Sequence, residues 1–241
     1  MGGPITSIVI LTGAGISAES GLSTFRDPEG VWAKWDPEEV ATPRAFERNR
    51  GLVLDFYNMR RRQLLDSEVR PNEAHLALAE LERRWPGGLT IVTQNIDDLH
   101  ERAGCRRVIH MHGELLKARC ERSGVIVPRR NDIALEDTCS CCGRERSLRP
   151  HVVWFGEVPL EMQRIAEALS SCDIFAAIGT SGNVYPASGF AQSARAAGAR
   201  TVELNLETTA VSDIFDRRIL GPAGRTVPAF VSELLGGAPS H

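Results

Sequence analysis

The chain has 241 residues, of which 42% are apolar and 24% charged, enough for one large α/β domain with a small appendage. A formal net charge of −3 argues against a nucleic-acid partner, and no apolar run approaches the roughly 20 residues of a membrane span. We therefore expect neither a nucleic-acid nor a membrane partner. We also expect a cytoplasmic location, because a first strand that starts at Ile5 leaves no room for a signal peptide.

Four short apolar runs have the composition of buried parallel strands. They cover residues 5–11, 89–92, 174–178 and 201–204. Each ends in a polar or glycine-rich turn, and these turns cover residues 13–15, 93–95, 179–181 and 205–207. Because ligands of doubly wound sheets bind outside the carboxyl ends of the strands, we expect the four turns to meet at one cleft.

The first turn, Gly13-Ala14-Gly15-Ile16-Ser17-Ala18, fits the pattern G-x-G-x-x-G/A directly after a strand. Glycines there let the backbone approach a pyrophosphate, and the amides of the next helix bind its charge. The alternative is a tight strand-to-helix turn without a ligand. A dehydrogenase would place an acid about 20 residues further on, after a second strand. Residues 28–30 read as a turn instead, which leaves Asn205 and Glu207 as the better ribose candidates.

Helical patterns separate the strands, as in residues 73–84, where Asn72 can cap an apolar face. This alternation predicts an α/β fold with a Rossmann-like, doubly wound parallel sheet. Two segments do not follow it: 28–70, with aromatic residues in short helical pieces, and 117–149, with most of the cysteines. We predict a single domain over 1–241. Its core covers 1–27, 71–116 and 150–241, and its smaller lobe combines a helical insertion (28–70) with a cysteine-rich, zinc-ribbon-like module (117–149).

Five motifs occur in an order and spacing that resemble the sirtuins, which are NAD-dependent protein lysine deacylases. They are GAGISAESGLSTFRD, TQNIDDLHERAG, HMHGELLKARC, HVVWFGE and GTSGNVYPASGF, and together they extend over nearly the whole chain. The chain looks like a compact sirtuin of bacterial or archaeal type. The resemblance implies that NAD is consumed as a co-substrate, that acyl-lysine proteins or peptides are the partners, and that the products are lysine, nicotinamide and O-acyl-ADP-ribose.

The resemblance also implies an NAD site. Phe25, Arg26 and Asp27 would lie in a loop that closes over the nicotinamide ribose and excludes water. The residues that would bind NAD are Gly13, Ala14, Gly15, Ala18, Phe25, Arg26, Gln94, Asn95, Ile96, Asp97, Gly179, Thr180, Ser181, Asn205, Leu206, Glu207 and Ala223. Asn95 and Asp97 could instead, or in addition, cap the helix that follows them.

The catalytic residues implied by the resemblance are His112, Asn95 and Asp97. His112 would act as a general base on a ribose hydroxyl, a task that suits a neutral imidazole at pH 7. His110 has similar neighbours, and only the register of the motif favours His112. We interpret His75, His100 and His151 as structural.

For the substrate, the resemblance implies that HVVWFGE forms a strand that pairs with the peptide, lined by Val153, Phe155, Gly156 and Glu157. An internal strand with no exposed edge is the alternative. Tyr57 and Arg60, at i and i+3, resemble the signature of class III sirtuins, which remove succinyl and malonyl groups. Ala41 matches their small pocket residue. The alternative is a core tyrosine beside a solvated arginine.

Six cysteines are present, and four of them are Cys120, Cys139, Cys141 and Cys142. Sirtuins carry two C-x-x-C pairs that bind a structural zinc, but Ser123 stands here where a fourth thiolate is expected. We interpret the cluster as a zinc site formed by Cys120, Cys139 and Cys142. Structural zinc sites have four ligands, so either Cys141 substitutes as the fourth or the site is weak or empty. The alternative is a loop module of packed, reduced cysteines.

Three other functions compete with a deacylase: a nicotinamide dehydrogenase, a non-catalytic NAD sensor and a protein ADP-ribosyltransferase. The missing ribose acid argues against the first, and the presence of His112, Asn95 and Asp97 argues against the second. We expect a monomer.

Overall fold

The computed structural model describes residues 5–24 and 30–236 and contains two sheets. The larger sheet is parallel, in the order β3-β2-β1-β7-β8-β9, and the smaller is antiparallel, in the order β5-β4-β6. The strands are β1 (Ser7–Thr12), β2 (Gly88–Thr93), β3 (Val108–His110), β4 (Gly113–Cys120), β5 (Ile126–Pro128), β6 (Leu148–Val152), β7 (Ile174–Ile178), β8 (Arg200–Asn205) and β9 (Arg217–Leu220).

The helices that lie between or after these strands vary from one turn to four turns. They are α1 (Ala14–Ser17), α2 (Val31–Lys34), α3 (Pro37–Val40), α4 (Pro43–Arg48), α5 (Arg50–Leu64), α6 (Glu73–Arg84), α7 (Leu99–Ala103), α8 (Met162–Leu169), α9 (Phe190–Ala196) and α10 (Ala223–Leu234). None of the helices in the described part of the chain combines the length and apolarity of a membrane span.

The predicted doubly wound sheet is confirmed, and all four predicted strands are present in its centre. Helices α6 and α10 cover one face, and α8 and α9 cover the other, so the central strands are buried on both sides. Double burial explains why these strands appear as continuous apolar runs. The edge strand β9 was missed because its sequence, RRIL, is mostly exposed and lacks such a run.

The smaller lobe has a core of its own. Helices α2 to α5 pack their apolar residues against the antiparallel sheet, so that segments far apart in sequence share one cluster. This sheet begins at Gly113, the first residue of β4, and ends at Val152, the last residue of β6, and these two residues pair with each other. It therefore extends beyond both ends of the predicted module, 117–149.

Helix α6 begins and ends where the sequence predicted. Asn72 caps it: its Oδ1 accepts a hydrogen bond from the amide of Ala74 at 3.0 Å. The same side chain donates through Nδ2 to the carbonyl of Ile16 at 2.8 Å and to Ser20 Oγ at 3.0 Å. The cap therefore also fixes the chain that follows the glycine turn.

Two histidines are buried beside each other, and we expect them to make stability depend on pH. Burial lowers the pKa of His75 to about 4 and places the pKa of His100 well below 6.5. The unfolded chain takes up protons more readily, so stability should be complete above about pH 6.5 and fall as the pH drops from there towards about 4. The shift at His75 alone corresponds to about 3 kcal/mol.

Urea unfolding at about pH 7.5 and about pH 5 measures this effect as a difference in unfolding free energy. A His100→Gln variant, which cannot titrate at that position, should lose part of the dependence. Equal unfolding free energies of the unmodified protein at both pH values would contradict the prediction.

Candidate active site

The main cavity lies at the carboxyl ends of the central parallel strands and has a volume of about 1510 Å³. All four predicted turns line it, together with the smaller lobe. The predicted NAD-binding residues on its wall are Gly13, Ala14, Gly15, Ala18, Gln94, Asn95, Ile96, Gly179, Thr180, Ser181, Asn205, Leu206, Glu207 and Ala223. Of the other predicted site residues, His112, Ala41, Tyr57, Arg60, Val153, Phe155, Gly156 and Glu157 also line it. Phe25, Arg26 and Asp27 lie outside the described residues.

The glycine turn packs directly against the turn after β7. The amide of Gly15 donates to the carbonyl of Gly179 at 2.9 Å. A Cβ atom at Gly13 would lie 2.7 Å from that carbonyl oxygen, and one at Gly15 would lie 2.7 Å from the Cα of Gly179. Glycine is therefore required at these positions because the two backbone turns touch each other, in addition to any close approach of a ligand.

Asn95 and Asp97 are held by the chain around the glycine turn. Asn95 donates from Nδ2 to the carbonyl of Gly13 and to Ser17 Oγ, both at 3.1 Å. Asp97 accepts from Ser17 Oγ and from the amide of Leu99, also at 3.1 Å each. Asp97 thus binds the first residue of α7, but it does not cap the helix: the N-cap residue is Asp98, whose side chain makes no capping hydrogen bond.

Asp97 does not line the main cavity. It lies against a small adjoining cavity of about 20 Å³ that Asn95 and Arg60 also line. Burial raises the pKa of Asp97, while hydrogen bonds from Leu99 and Ser17 oppose that rise. Asp97 and Asn95 both bind the hydroxyl of Ser17, so Asp97 helps to fix the loop that carries the Asn95 side chain.

His112 and His110 differ sharply in their contacts. Nδ1 of His112 lies 3.0 Å from the carbonyl of Gln94, and this fixes the tautomer with Nδ1 as donor and Nε2 as proton acceptor. Burial lowers the pKa of His112, so the ring is neutral at pH 7. His110 instead binds Glu101 at 2.7 Å; although burial opposes it, that carboxylate raises the pKa of His110. Of these two histidines, His112 alone lines the main cavity, and it does so as an unprotonated base.

Tyr57 and Arg60 lie on the same face of α5, as their spacing predicted, and Ala41 is close to them on the cavity wall. Tyr57 is 5% exposed and Arg60 is 9% exposed, so neither is a solvated surface residue. Nη1 of Arg60 donates to Gln63 Oε1 at 3.0 Å. Burial lowers the pKa of Arg60, and Asp97 opposes that effect.

The segment after β6 is a turn and not the predicted strand, because pairing with β4 ends at Val152. The amide of Val153 donates to the carbonyl of His112 at 2.8 Å, and the amide of Phe155 donates to that of Ala41 at 2.9 Å. These amides are therefore already bonded within the protein. The carboxylate of Glu157 is also engaged internally, by Arg149 at 2.7 and 2.9 Å.

The cysteine cluster brings four thiols together. The Sγ atoms of Cys120, Cys139, Cys141 and Cys142 all lie within 4.8 Å of one another. A tetrahedral zinc with bonds of about 2.3 Å needs sulfurs about 3.8 Å apart, so the donor set fits the metal. Cys141, which the sequence offered only as a substitute, completes the set. Ser123 Oγ lies 3.1 Å from Cys141 Sγ, so the serine contacts the thiol that replaces the expected fourth cysteine.

Comparison with known proteins agrees with this geometry. A model of the Sir2 family matches residues 13–186. The chain belongs to the Sir2 family. Among its relatives, an NAD-dependent protein deacylase of Salmonella typhimurium is 57% identical over 230 residues, which cover 95% of this chain and 84% of that protein. A protein of the same description from Pasteurella multocida is 56% identical over 228 residues, covering 95% and 97%.

Solved Sir2 structures share the fold. A complex of a Sir2 homologue with NAD superposes with a TM-score of 0.85 at 37% identity, covering 95% of this chain and 90% of that one. A Sir2 protein bound to an acetylated peptide gives a TM-score of 0.81 at 27% identity, covering 96% and 94%.

Two residues of this Sir2 protein next to the predicted acyl-binding residues were not predicted: Trp154, which contacts Tyr57, and Arg149, which contacts Trp154. Trp154 Nε1 donates to the hydroxyl of Tyr57 at 3.0 Å, and Arg149 lies over the Trp154 ring. Trp154 stands inside the motif HVVWFGE, but its contact with Tyr57 joins positions 97 residues apart, which no local pattern reveals.

The ligand set of the Sir2 metal centre can be tested directly. We expect metal analysis of the purified protein to find about one zinc per chain, because four thiolates close a structural site. A Cys141→Ala variant should lose most of this zinc, and a Cys172→Ala variant should retain it, since Cys172 lies outside the cluster. Full zinc content in Cys141→Ala would restrict the ligands to the three cysteines first predicted.

Proposed function

We propose that the protein is an NAD-dependent protein lysine deacylase that removes acidic acyl groups as well as acetyl groups. The observation that carries this proposal is the joint position of Tyr57, Arg60 and His112 on the wall of one cavity with the glycine turn. Membership of the Sir2 family supports deacylation, and two relatives of this chain are named NAD-dependent protein deacylases. The acidic acyl preference is supported by the donors that face the cavity.

The NAD-binding part of the cavity is formed by backbone turns. Those at 13–15 and 179–181 are in direct contact, and Asn205 fixes the second by donating from Nδ2 to the carbonyl of Thr180 at 2.7 Å. A Sir2 homologue solved in complex with NAD supports the binding of this dinucleotide. When bound, NAD supplies an anomeric carbon that the acyl amide oxygen attacks as nicotinamide leaves.

His112 is suited to the proton transfer that deacylation requires. Its Nδ1 is committed to the carbonyl of Gln94, which leaves Nε2 to take a proton from a ribose hydroxyl. Its lowered pKa keeps this nitrogen unprotonated at pH 7. The side-chain amide of Asn95 is held in place by hydrogen bonds to Gly13 and Ser17, so its position relative to a bound ribose is fixed.

The acyl end of the cavity offers two donors to a carboxylate. A carboxylate is purely a hydrogen-bond acceptor, so it requires groups that donate. Burial raises the pKa of Tyr57 well above its usual range, which keeps the phenol protonated as a donor. The guanidinium of Arg60 contributes charge-assisted hydrogen bonds, and the small side chain of Ala41 leaves room for a longer acyl chain.

Mass spectrometry of products from a panel of acyl-lysine peptides with NAD tests this proposal. We expect free lysine, nicotinamide and O-acyl-ADP-ribose from acetyl and succinyl peptides. Labelled ADP-ribose on protein would indicate an ADP-ribosyltransferase, and a rise in reduced-cofactor absorbance would indicate a dehydrogenase. Absence of peptide-dependent nicotinamide release would leave an NAD sensor.

We also propose that acyl-lysine proteins or peptides are the partners, which the peptide complex of a Sir2 neighbour supports. A cytoplasmic location fits the six cysteines, none of which forms a disulfide in the described chain. We also propose that the protein is a monomer. Light scattering can test this by measuring its molecular mass in solution.

A further inference from the structure

Trp154 and Tyr57 form a directional hydrogen bond at the acyl end of the main cavity. The indole Nε1 of Trp154 lies 3.0 Å from the Tyr57 hydroxyl oxygen. An indole nitrogen only donates, so the tyrosine must accept here. Among the described residues, none accepts a hydrogen bond from the Tyr57 hydroxyl. That hydrogen therefore remains available for a group that enters the cavity.

The direction of the hydrogen follows from the geometry of a phenol. A phenol hydroxyl prefers the plane of its ring, where the hydrogen occupies one of two positions and a lone pair the other. Because Trp154 donates to one lone pair, the hydrogen of Tyr57 is restricted to the other direction. A hydroxyl that accepts a hydrogen bond is also polarised into a stronger donor.

Trp154 is itself held rigidly. The guanidinium carbon of Arg149 lies 3.4 Å from the centre of the Trp154 ring, and Phe46 packs at a ring-centre distance of 4.9 Å. Glu157 binds Arg149 through both oxygens and accepts from the amide of Trp154 at 2.8 Å. Trp154 is only 3% exposed, so water does not compete for its nitrogen.

We propose that Trp154 is a positioning residue that sets the preference for acidic acyl groups by orienting the Tyr57 hydroxyl towards the acyl carboxylate. This proposal rests on the proposed function, because it requires that an acidic acyl group enters the cavity. Arg149 and Glu157 act one step further away, by fixing the tryptophan. An acetyl group has no carboxylate, so the orientation of Tyr57 contributes nothing to its binding.

A double-mutant cycle on succinyl and acetyl versions of one peptide tests the proposal. Trp154→Phe removes the N–H and keeps an aromatic ring. We expect KM for the succinyl peptide to rise about 5- to 20-fold with little change in kcat, because the lost interaction stabilises bound substrate and transition state alike. Acetyl kinetics should change less than about 2-fold, which also reports that the variant is folded. In a Tyr57→Phe background, Trp154→Phe should have no further effect on the ratio of succinyl to acetyl kcat/KM.

A second replacement preserves the shape of the side chain. Site-specific insertion of β-(3-benzothienyl)alanine at position 154 replaces the N–H by sulfur and should give the same loss as Trp154→Phe. An unchanged succinyl KM in this variant, or a loss of the same size in the Tyr57→Phe background, would overturn the proposal. If the unmodified protein itself does not act on succinyl-lysine, the acidic preference in the proposed function fails. If it does act and only the tryptophan variants are neutral, the role of Trp154 alone fails.

Discussion

Replacing His112 by alanine should lower kcat/KM for NAD-dependent deacetylation by about 10²–10⁴-fold, the range for loss of a general base. His112 lines the main cavity, and its hydrogen bond to Gln94 leaves Nε2 as the acceptor. The measurement is the rate of nicotinamide release in the presence of an acetylated peptide. The pH profile gives a second readout: the activity of the unmodified protein should fall only below the ordinary histidine pKa of 6.5, because burial lowers the pKa of His112.

His110 provides a matched control, two residues away on the same stretch of chain. It is bound to Glu101, and we expect a His110→Asn variant to retain activity within a few-fold of the unmodified protein. A His112→Ala variant with full activity would exclude a base at this position. Equal losses in both variants would point to disruption of the β3–β4 connection instead of removal of a base.

The combined change Tyr57→Phe and Arg60→Met should reduce kcat/KM on a succinyl-lysine peptide by at least about 100-fold. Two hydrogen bonds to a charged group are worth about 3 kcal/mol together at the lower limit, which corresponds to that factor. On the acetyl version of the same peptide, we expect a change of only a few-fold. Both substitutions keep most of the side-chain volume, so the core of the smaller lobe should remain packed.

An Arg62→Met variant is the control for loss of positive charge from α5. The side chain of Arg62 is 67% exposed and contacts Asp132, so its loss should leave both activities nearly unchanged. Parallel losses on the succinyl and acetyl peptides in the double variant would refute the assignment of the acyl pocket. They would indicate that Tyr57 and Arg60 serve the structure of the lobe.

Helix α6 and the central strands show which parts of this fold can be predicted from short stretches of sequence. A strand buried on both faces must be a continuous apolar run, and an amphipathic helix must show its period and its cap. Both signals are complete within a dozen residues, and the structure follows them closely. The exposed edge strand β9 and the turn after Val152 carried no such signal, and there the prediction failed or was absent.

For the candidate site, too, the sequence predicted some features and not others. The resemblance of the motifs to the sirtuins pointed to His112, and the glycine pattern after β1 predicted the turn, because a close backbone approach demands glycine at fixed spacing. They could not separate His112 from His110 by chemistry, since the difference is a contact with Gln94 for one ring and with Glu101 for the other. They also left open whether Tyr57 is a core residue, and the fold shows it buried on the cavity wall.

The sequence by itself determined the parallel sheet and the turns that end its strands, and its resemblance to the sirtuins supplied the residues predicted to bind a dinucleotide and transfer a proton. The sheet and its turns depend on neighbours in the chain, so composition and spacing are enough to reveal them. Only the tertiary structure decided that Cys141 joins the other three thiols, that Asp97 lines a small adjoining cavity instead of the main one, and that Trp154 donates to Tyr57. Each of these contacts depends on where the packing of the two sheets places distant side chains, and that packing is set by the whole core.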